Sequence, residues 1–350
     1  MGALTGITVV VPVRNGADTL TDTLMAIAAQ AAGPRPVEII VVDDGSRDRS
    51  RDLVDAFARH TPVRVLEGPR RGAAAAVNCG IRAASHAVIA QIDQDVAIEP
   101  GWLERVADLF TDPRVGAVQG RYTTHPHDSF YARVMALDLE QRYDRLLADV
   151  DHVCTGNTAY RASALTEVGL LNERLGYGYD NDLSYRLGAA GYRLLFCPEA
   201  RSRHRWREGL AGYLSQQYGF GYGRIDVVSA HPERVGGDDV SPLAMMSHPV
   251  VAAVALVTTA SWLWARWLGI NAAPIGWSAL ALVAGLAGER AVAGVRAWRK
   301  YGDAAALGFP LVHLARDLAW VAAIAVWSWR HLSGRAGGPA ASMRPRAVTD

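Results

Sequence analysis

Residues 37–46 read VEIIVVDDGS, a continuous run of apolar, mostly β-branched residues that ends in two adjacent aspartates. Such a run is typical of a strand that is buried on both faces of a parallel sheet. A second run of this kind, GITVVVPVRN at residues 6–15, precedes it. Between the two runs, residues 18–30 repeat apolar side chains at helical spacing. The beginning of the chain therefore predicts a strand–helix–strand unit.

Four further segments continue the alternation of strand and helix patterns. Residues 46–60 and 72–85 have helical spacing, whereas residues 63–68 and 86–95 are typical of strands. Regular alternation predicts an α/β fold with a mostly parallel sheet, flanking helices and right-handed crossovers. Ligands of such open sheets bind beyond the carboxyl ends of the strands. The polar residues that follow each strand are therefore the first candidates for a functional site.

Two pairs of aspartates fall at this predicted edge of the sheet. Asp43 and Asp44 follow the second strand, and Asp93 and Asp95 follow the fourth. Carboxylates brought together raise one another's pKa values unless a cation or hydrogen bonds compensate them. A hard cation such as Mg²⁺ or Mn²⁺, shared with a diphosphate, would do so, and aspartates also bind a base or a ribose. The pairs favour a cation and nucleotide site, with a polar turn that binds no ligand as the alternative.

The composition disfavours several other classes of protein. A formal net charge of +1 gives no basic field for a nucleic acid partner. The first strand is not followed by a G-x-G-x-x-G segment, and there is no Walker A loop, which argues against dinucleotide and P-loop sites. The three cysteines are widely spaced, which suits a reducing compartment. Cys154 could be a nucleophile served by His152, but a buried, unreactive thiol is the commoner use of such a residue.

The chain becomes strongly apolar after residue 246. Residues 247–265 and 267–288 carry no formal charge, and each segment is long enough to cross a bilayer as a helix. A third apolar segment, residues 304–329, is interrupted by Arg316 and Asp317. Two or three membrane helices are therefore predicted, with a buried helical hairpin as the alternative. Arg316 is expected either to pair with Asp317 or to meet the phosphate of a lipid acceptor.

The charges around these segments predict the orientation of the chain. Residues 289–303 read as a loop with four basic residues, whereas the link between the first two segments has only Arg266. The positive-inside rule places that loop in the cytoplasm, and the first residues do not resemble a signal peptide. We therefore expect a multi-pass protein of the cell membrane with a cytoplasmic first domain. The predicted parts are that domain (1–230), a linker (231–246), a membrane region (247–330) and a disordered tail (331–350).

Five segments follow one another in a characteristic order. They are VVVPVRNGADTL, IIVVDDGSRDRS, RRGAAAAVNCGIRAA, AQIDQDVAIEPGWL and a long stretch that begins with CTGNTAYR. In order and spacing they resemble family 2 of the glycosyltransferases, over about residues 5–225. The resemblance implies a GT-A fold, a nucleotide-diphosphate-sugar donor, a divalent cation (Mg²⁺ or Mn²⁺) and transfer with inversion at the anomeric carbon.

The resemblance also implies which residues bind the donor. The residues that match the family's donor-binding motifs are Pro12, Arg14, Asn15, Asp43, Asp44, Arg71, Gly72 and Asp93. Asp43 and Asp44 match the acidic pair that holds the base and ribose. Asp93 and Asp95 match the DxD motif, in which Asp95 is implied to bind the metal and Asp93 to lie nearer the ribose. His204 resembles a further ligand of the metal or diphosphate in related enzymes.

Transfer to a hydroxyl acceptor needs a group that takes up its proton. In GYGYDNDLSYRL, residues 176–187, Asp180 matches the family's catalytic carboxylate, and Asp182 is the second candidate and an expected acceptor contact. Tyr179 stands where the family usually has a glutamate. An aspartate at the start of a helix is also an ordinary N-cap, which is the structural alternative for both aspartates. The other expected acceptor contacts, in a preceding turn, are Thr155, Gly156 and Asn157.

Together these features predict a membrane-anchored, metal-dependent, inverting glycosyltransferase. It would move a sugar from a nucleotide-diphosphate-sugar to a lipid-linked or cell-envelope glycan acceptor, and no nucleic acid partner is expected. The nearest alternative is a polyprenyl-phosphate glycosyltransferase, in which a phosphate oxygen attacks the sugar. The alternative from another class is a non-catalytic membrane scaffold that binds nucleotide sugar, although a scaffold would need no base.

Overall fold

The computed structural model describes residues 6–31, 33–125 and 128–334. These residues form two compact units. The first unit comprises the described residues up to 125 together with 142–206, and the second comprises 128–141 and 207–334. The first unit thus ends earlier than the predicted domain 1–230. Residues 335–350, most of the predicted disordered tail, lie outside the described residues.

The described residues contain nine strands, eleven α-helices and two short 3₁₀ helices. The strands are β1 (Ile7–Val13), β2 (Val37–Asp43), β3 (Val63–Glu67), β4 (Val88–Ile92), β5 (Val96–Ile98), β6 (Val115–Thr123), β7 (Asp149–Val150), β8 (Asn157–Arg161) and β9 (Arg193–His204). The helices are α1 (Leu20–Ala28), α2 (Ser50–Ala58), α3 (Ala73–Ala83), α4 (Trp102–Leu109), α5 (Phe130–Tyr143), α6 (Ala162–Val168), α7 (Tyr179–Ala189), α8 (Gly209–Ala230), α9 (Leu243–Trp267), α10 (Ala273–Tyr301) and α11 (Phe309–Leu332). The 3₁₀ helices are Pro232–Arg234 and Ala304–Gly308.

All nine described strands belong to one sheet. Their order is β3-β2-β1-β4-β8-β6-β9-β5, and β7 pairs with β9. Strand β1 lies between β2 and β4 and runs parallel to both, so the carboxyl ends of these three strands meet at one edge. The pairs β4–β8 and β6–β8 are antiparallel, whereas β6–β9 is parallel. The predicted α/β fold with flanking helices is therefore confirmed, with antiparallel strands added to a parallel first half.

The core of the first unit lies between helix α3 and the central strands. Val10 of β1 and Val42 of β2 are fully buried, and complete burial of such a side chain contributes roughly 1.5–3 kcal/mol. Gly80 of α3 faces them, because a Cβ at this position would come within 2.3 Å of Val10 Cγ1. The missing side chain lets α3 lie close to the sheet. This packing fixes the first turn of α3, and with it the preceding loop, at the carboxyl edge.

Strand β9 joins distant parts of the sequence in the first unit. It runs parallel to β6, with two register shifts, and pairs antiparallel with β5 at its end. In that ladder Val96 lies opposite His204, the last residue of β9. Asp95 directly precedes Val96, and its carbonyl accepts a hydrogen bond of 2.9 Å from the Arg205 N–H. The strand register therefore places Asp95 beside His204.

Three described helices of the second unit are long and apolar enough to cross a membrane. They span Leu243–Trp267, Ala273–Tyr301 and Ala304–Leu332, the last including the 3₁₀ turn before α11. The predicted loop 289–303 is wrong for most of its length, because α10 continues to Tyr301. The residue that follows the helix, Gly302, has a left-handed conformation (φ 73°), which commonly terminates helices.

Helix α8 packs against α11 within the second unit. The glycine-rich stretch 219–223 lies inside α8, and a Cβ on Gly221 would come within 3.0 Å of Trp320. Tyr213 of α8 is buried in one hydrophobic cluster with Phe309 and Val312 of α11. These contacts explain why α8 belongs to the second unit although the sequence predicts it as the end of the first domain.

Buried arginines pair with aspartates among the helices of the second unit. Arg290 of α10 donates to Asp317 of α11, and each side chain is only 2% exposed. Arg316 Nη1 lies 3.2 Å from Asp138 Oδ2 of α5, and Arg316 Nε lies 3.8 Å from Asp317 Oδ1. Opposite charges thus compensate one another, as charges in an apolar environment require. The predicted pairing of Arg316 with Asp317 is present, whereas the predicted phosphate contact is disfavoured because two carboxylates already neutralise Arg316.

Candidate active site

The loop after β1 is held by neighbouring loops. Asn15 has a left-handed backbone with φ of 52°, which asparagine tolerates better than most residues. Its side-chain oxygen accepts a hydrogen bond of 2.7 Å from the Arg47 N–H. The Arg14 N–H donates to the Gln94 side chain over 2.8 Å. Arg14 and Asn15 are thereby presented at the carboxyl edge with exposed side chains, just beyond Pro12 of β1.

Asp44 organises the loop before α3. Its carboxylate oxygens accept hydrogen bonds from the N–H groups of Arg70 and Gly72 over 2.5 and 2.9 Å, and the side chain is almost fully buried. These main-chain hydrogen bonds bind both oxygens to the loop, and the predicted contact of Asp44 with a base or ribose stays a prediction. Asp43 accepts a hydrogen bond of 2.9 Å from the Ser46 N–H and lies half-buried at the edge, accessible to a ligand.

Arg71 lies on the exposed side of the same loop. Its Nη2 atom is 2.9 Å from Glu173 Oε2, and the Arg71 side chain is 64% exposed. Glu173 also accepts a hydrogen bond from Asn78 of α3, so its position is fixed. An exposed ion pair contributes at most about 1 kcal/mol. Arg71 can therefore exchange Glu173 for an anionic ligand at small cost.

Asp93, Asp95 and His204 converge beyond the end of β4. Asp95 Oδ1 lies 3.4 Å from His204 Nε2. The Asp93 N–H donates to the Gly156 carbonyl over 3.1 Å, and the Gln91 side chain donates to the Asp93 carboxylate over 2.7 Å. The structure thus brings together three of the predicted donor-binding and metal-binding residues.

The charges around Asp93 fit a divalent cation. Burial and the charge of Asp95 raise the pKa of Asp93 to about 7, and Asp180 adds to the rise while His204 opposes it. Burial disfavours the charged form of Asp93, and the neighbouring carboxylates add repulsion that His204 offsets only in part. Carboxylate oxygens suit Mg²⁺ and Mn²⁺, so Asp95 and His204 would hold such a cation next to Asp93.

The predicted base, Asp180, lies in the first turn of α7. Gly178, left-handed with φ of 75°, is the cap residue of this helix, so Asp180 does not serve as its N-cap. Asp180 Oδ2 lies 3.9 Å from His152 Nε2, and ligand atoms of His152, Cys154 and Asp180 all lie within 4.8 Å of one another. Asp180 also acts on the pKa of Asp93. The two carboxylates are therefore close enough for their charges to interact.

Tyr179 occupies the position where the sequence pattern usually has a glutamate. Burial is the largest cause of its raised pKa, and the charges of Asp93 and Asp180 raise the pKa further. The Thr155 side chain opposes this rise in the pKa of Tyr179. This residue is thus a neutral phenol in the field of both carboxylates, and it adds no negative charge to the site.

The turn at residues 155–157 forms one wall of the site. Gly156 has φ of 88°, and a Cβ there would come within 2.3 Å of Asp93 Oδ2. The Tyr122 hydroxyl donates to the Thr155 carbonyl over 3.2 Å, which fixes the turn. The absence of a side chain at Gly156 therefore lets the backbone lie against Asp93, and Thr155 stays half-buried beside it.

Two residues that the sequence predicts as acceptor contacts form hydrogen bonds with other side chains of the fold. Asn157 is fully buried, and its Oδ1 accepts a hydrogen bond of 2.8 Å from Trp102 Nε1. Asp182 is 5% exposed, and its Oδ2 accepts from Nε and Nη2 of Arg186 over 3.0 and 2.8 Å. Arg186 in turn donates to the carbonyls of residues 168–170. Neither side chain is placed to contact an acceptor, and Asp182 is not placed to act as the base.

The sequence analysis missed three residues that shape the site. Gln91 is fully buried and donates to Asp93. Tyr122 and Trp206 pack against the His204 ring, with centroid distances of 5.2 and 4.0 Å. No local pattern marks Tyr122, because it meets His204 only through the pairing of β6 with β9, whereas Trp206 lies two residues after His204 in the chain. Gln91, in contrast, is a polar residue within the buried run VIAQI, which is a usable signal.

Gly156→Ala is expected to lower the free energy of unfolding by about 2–5 kcal/mol, because it combines left-handed strain with overpacking against Asp93. Gly191→Ala is the matched control, since Gly191 has φ of 85° but open space around its Cβ position, and it should cost only about 1–2 kcal/mol. Denaturant unfolding of both variants measures the difference. Equal losses of unfolding free energy in the two variants would mean that Asp93 moves away from the new methyl group at no energetic cost.

Comparison with known proteins identifies the family of this site. Residues 8–169 match the family model described as Glycosyl transferase family 2. A pre-mycofactocin glycosyltransferase of Mycobacterium tuberculosis is 33% identical over 251 residues, which cover 69% of this chain and 51% of that protein. Glycosyltransferase AglE of Haloferax volcanii is 27% identical over 63% of this chain and 73% of its own length. The chain thus spans about half the length of the first of these relatives.

A solved structure shows the same fold. The mannosyltransferase PcManGT from Pyrobaculum calidifontis, in complex with GDP-Man and Mn²⁺, superposes with a TM-score of 0.59 at 19% identity. The match covers 92% of this chain and 87% of that chain. The fold is therefore of the GT-A type, and residues 8–169 of the chain form a domain of glycosyl transferase family 2.

Proposed function

We propose that the chain is a cation-dependent, inverting glycosyltransferase that moves one sugar from a nucleotide-diphosphate-sugar to a hydroxyl acceptor. The observation that carries this proposal is the convergence of Asp95 and His204 with Asp180 around Asp93, inside a glycosyl transferase family 2 domain. A cation site and a carboxylate base are the two groups that displacement of a diphosphate by a hydroxyl requires.

The donor would bind along the carboxyl edge of the first unit. Asp43 would accept hydrogen bonds from the base or ribose. Among the described residues its Oδ1 accepts one hydrogen bond, from the Ser46 N–H, so the carboxylate can accept further ones. Arg71 would exchange Glu173 for the diphosphate, with Arg14 as a second exposed cation near this edge. The complex of PcManGT with GDP-Man and Mn²⁺ is in line with a nucleotide sugar and a divalent cation as ligands.

The reaction itself would depend on Asp180. Its carboxylate would take the proton of the acceptor hydroxyl, whose oxygen would then attack the anomeric carbon. Attack from the side opposite the diphosphate inverts the configuration at that carbon. When bound, a cation at Asp95 and His204 would offset the negative charge on the leaving diphosphate. Tyr179 and Thr155, which are neutral hydrogen-bonding groups, would orient the acceptor next to the base.

The acceptor would lie at the membrane. Helices α9, α10 and α11 would anchor the chain in the cell membrane, and the acceptor would be a lipid-linked or envelope glycan. Three exposed basic residues lie near the end of α10, namely Arg296, Arg299 and Lys300, whereas Arg266 is the basic residue in the last turn of α9. This asymmetry supports a cytoplasmic position for the end of α10 even without Arg290, which is buried.

Calorimetry with purified full chain tests the donor and cation site. We expect one of UDP, GDP, dTDP and CDP to bind in the presence of Mn²⁺, and Asp95→Ala to weaken this binding by at least about 100-fold, because it removes a direct ligand. Asp108→Ala is the matched control, since this exposed aspartate of α4 pairs only with Arg35 among the described ion pairs. Nucleotide binding that is indifferent to Mn²⁺ and to Asp95→Ala would refute the proposal.

A further inference from the structure

A second group of metal-ligating side chains lies beside the proposed base. His152, Cys154 and Asp180 each offer one ligand atom, and the three atoms lie within 4.8 Å of one another. His152 is buried, whereas Cys154 and Asp180 are half-buried. The pair His152 Nε2 and Asp180 Oδ2 is already at 3.9 Å. The group therefore combines a fixed imidazole with two ligands that solvent can reach.

The chemistry of this group differs from that of the Asp95 site. Bonds in a tetrahedral zinc site are about 2.0–2.3 Å long, which separates ligand atoms by about 3.3–3.7 Å. The three atoms thus need to move by roughly 1 Å or less to meet that geometry. Thiolate sulfur selects zinc-like ions over Mg²⁺ and Mn²⁺, which prefer oxygen. Three protein ligands also leave a fourth position for water or for a substrate oxygen.

We propose that His152, Cys154 and Asp180 form a second cation site, selective for a thiophilic ion such as Zn²⁺, and that the filled site blocks transfer. Binding forms a zinc–sulfur bond, the thiol proton leaves to solvent, and the Asp180 carboxylate becomes a ligand. A carboxylate held by zinc cannot take up the proton of an acceptor hydroxyl. The inhibitory part of this inference rests on the proposed role of Asp180 as the base.

Cobalt spectroscopy tests the site without an activity measurement. The full chain in detergent, saturated with Mg²⁺, is titrated with Co²⁺, whose thiolate complexes show a strong charge-transfer absorption. We expect this absorption in the wild type, in Asp95→Ala and in Cys79→Ser, the matched control at another half-buried cysteine. It should be absent in Cys154→Ser. An equal absorption in Cys154→Ser, or none in the wild type, would overturn the proposal.

A second measurement keeps the test valid if Cys154→Ser folds poorly. In the wild-type chain, Zn²⁺ should protect Cys154 from alkylation by iodoacetamide and leave Cys79 reactive, as mapped by mass spectrometry. Alkylation of Cys154 at an unchanged rate would contradict the site.

Inhibition separates this inference from the proposed function. Zn²⁺ should inhibit transfer in the wild type and in Cys79→Ser, and inhibition of Cys154→Ser should need at least about tenfold more Zn²⁺. Zinc binding without inhibition would overturn the inhibitory role and, with it, Asp180 as the base. Loss of transfer in Asp180→Asn without any cobalt absorption would overturn only the second cation site.

Discussion

Asp180→Asn is expected to lower the rate of sugar transfer by about 10²–10⁴-fold, the contribution that general bases typically make. An amide is close in size to a carboxylate but cannot accept the proton of the acceptor hydroxyl. Nucleotide affinity should change little, because Asp180 is proposed to act on the acceptor hydroxyl and not to bind the nucleotide. Steady-state kinetics with a saturating donor, together with calorimetry of the nucleotide, separate the two effects.

Asp182→Asn is the matched control, two residues further along the same helix. Its carboxylate is buried against Arg186, so the change should lower the free energy of unfolding and leave the transfer rate per folded molecule within about twofold, as expected of a group outside the reaction. If Asp182→Asn abolished transfer while Asp180→Asn retained it, the base would have to be reassigned. Retention of transfer to a phosphate acceptor by Asp180→Asn would favour the polyprenyl-phosphate alternative.

Asp317→Ala should lower the stability of the second unit strongly, and more than Glu289→Gln does. The substitution leaves Arg290 without its buried partner and removes one of the two carboxylates beside Arg316. Breaking a buried ion pair by removing one partner typically costs about 3–5 kcal/mol. Thermal unfolding of the full chain in detergent, followed by loss of the monodisperse peak, measures the effect.

Two further variants show whether the loss comes from unpaired charge. Glu289→Gln alters the residue next to Arg290, but Glu289 is 54% exposed and pairs with His248. This substitution should therefore lower the free energy of unfolding by less than about 1 kcal/mol. The double variant Arg290→Met with Asp317→Leu should regain much of the stability, because apolar replacements of a buried pair are often neutral. A double variant as unstable as Asp317→Ala would show that the ion pair itself is needed.

The parallel half of the sheet could be predicted from the sequence because burial on both faces leaves a continuous apolar run in each strand. Strands β1, β2 and β4 therefore follow their predicted positions closely. The antiparallel half could not be placed, because the insertion of β8 between β4 and β6 depends on pairing between distant segments. The sequence did not predict the helical extension at residues 289–301 for another reason. Its charged residues resemble a loop, whereas Arg290 is neutralised by a residue of another helix.

The site shows the same division between local and long-range information. The sequence predicts Asp95 and Asp180 from motifs, and the register of β5 with β9 explains why His204 meets Asp95. The outcome for Asn157 and Asp182 could not be predicted. Each is polar and follows a glycine-rich turn, but each finds a partner inside the fold, and no pattern in the sequence distinguishes a buried partner from a bound substrate.

The loop before α3 has a consequence for how such a protein can change during evolution. Asp44 holds this loop through the N–H groups of Arg70 and Gly72, and every residue except proline offers the same main-chain donor. The side chain at position 71 can therefore vary without loss of the hydrogen bonds that shape the loop, whereas the left-handed backbone of Arg70 (φ 59°) restricts position 70. Substitutions at position 71 can therefore accumulate in related chains that share this arrangement, while the loop beneath them keeps its shape.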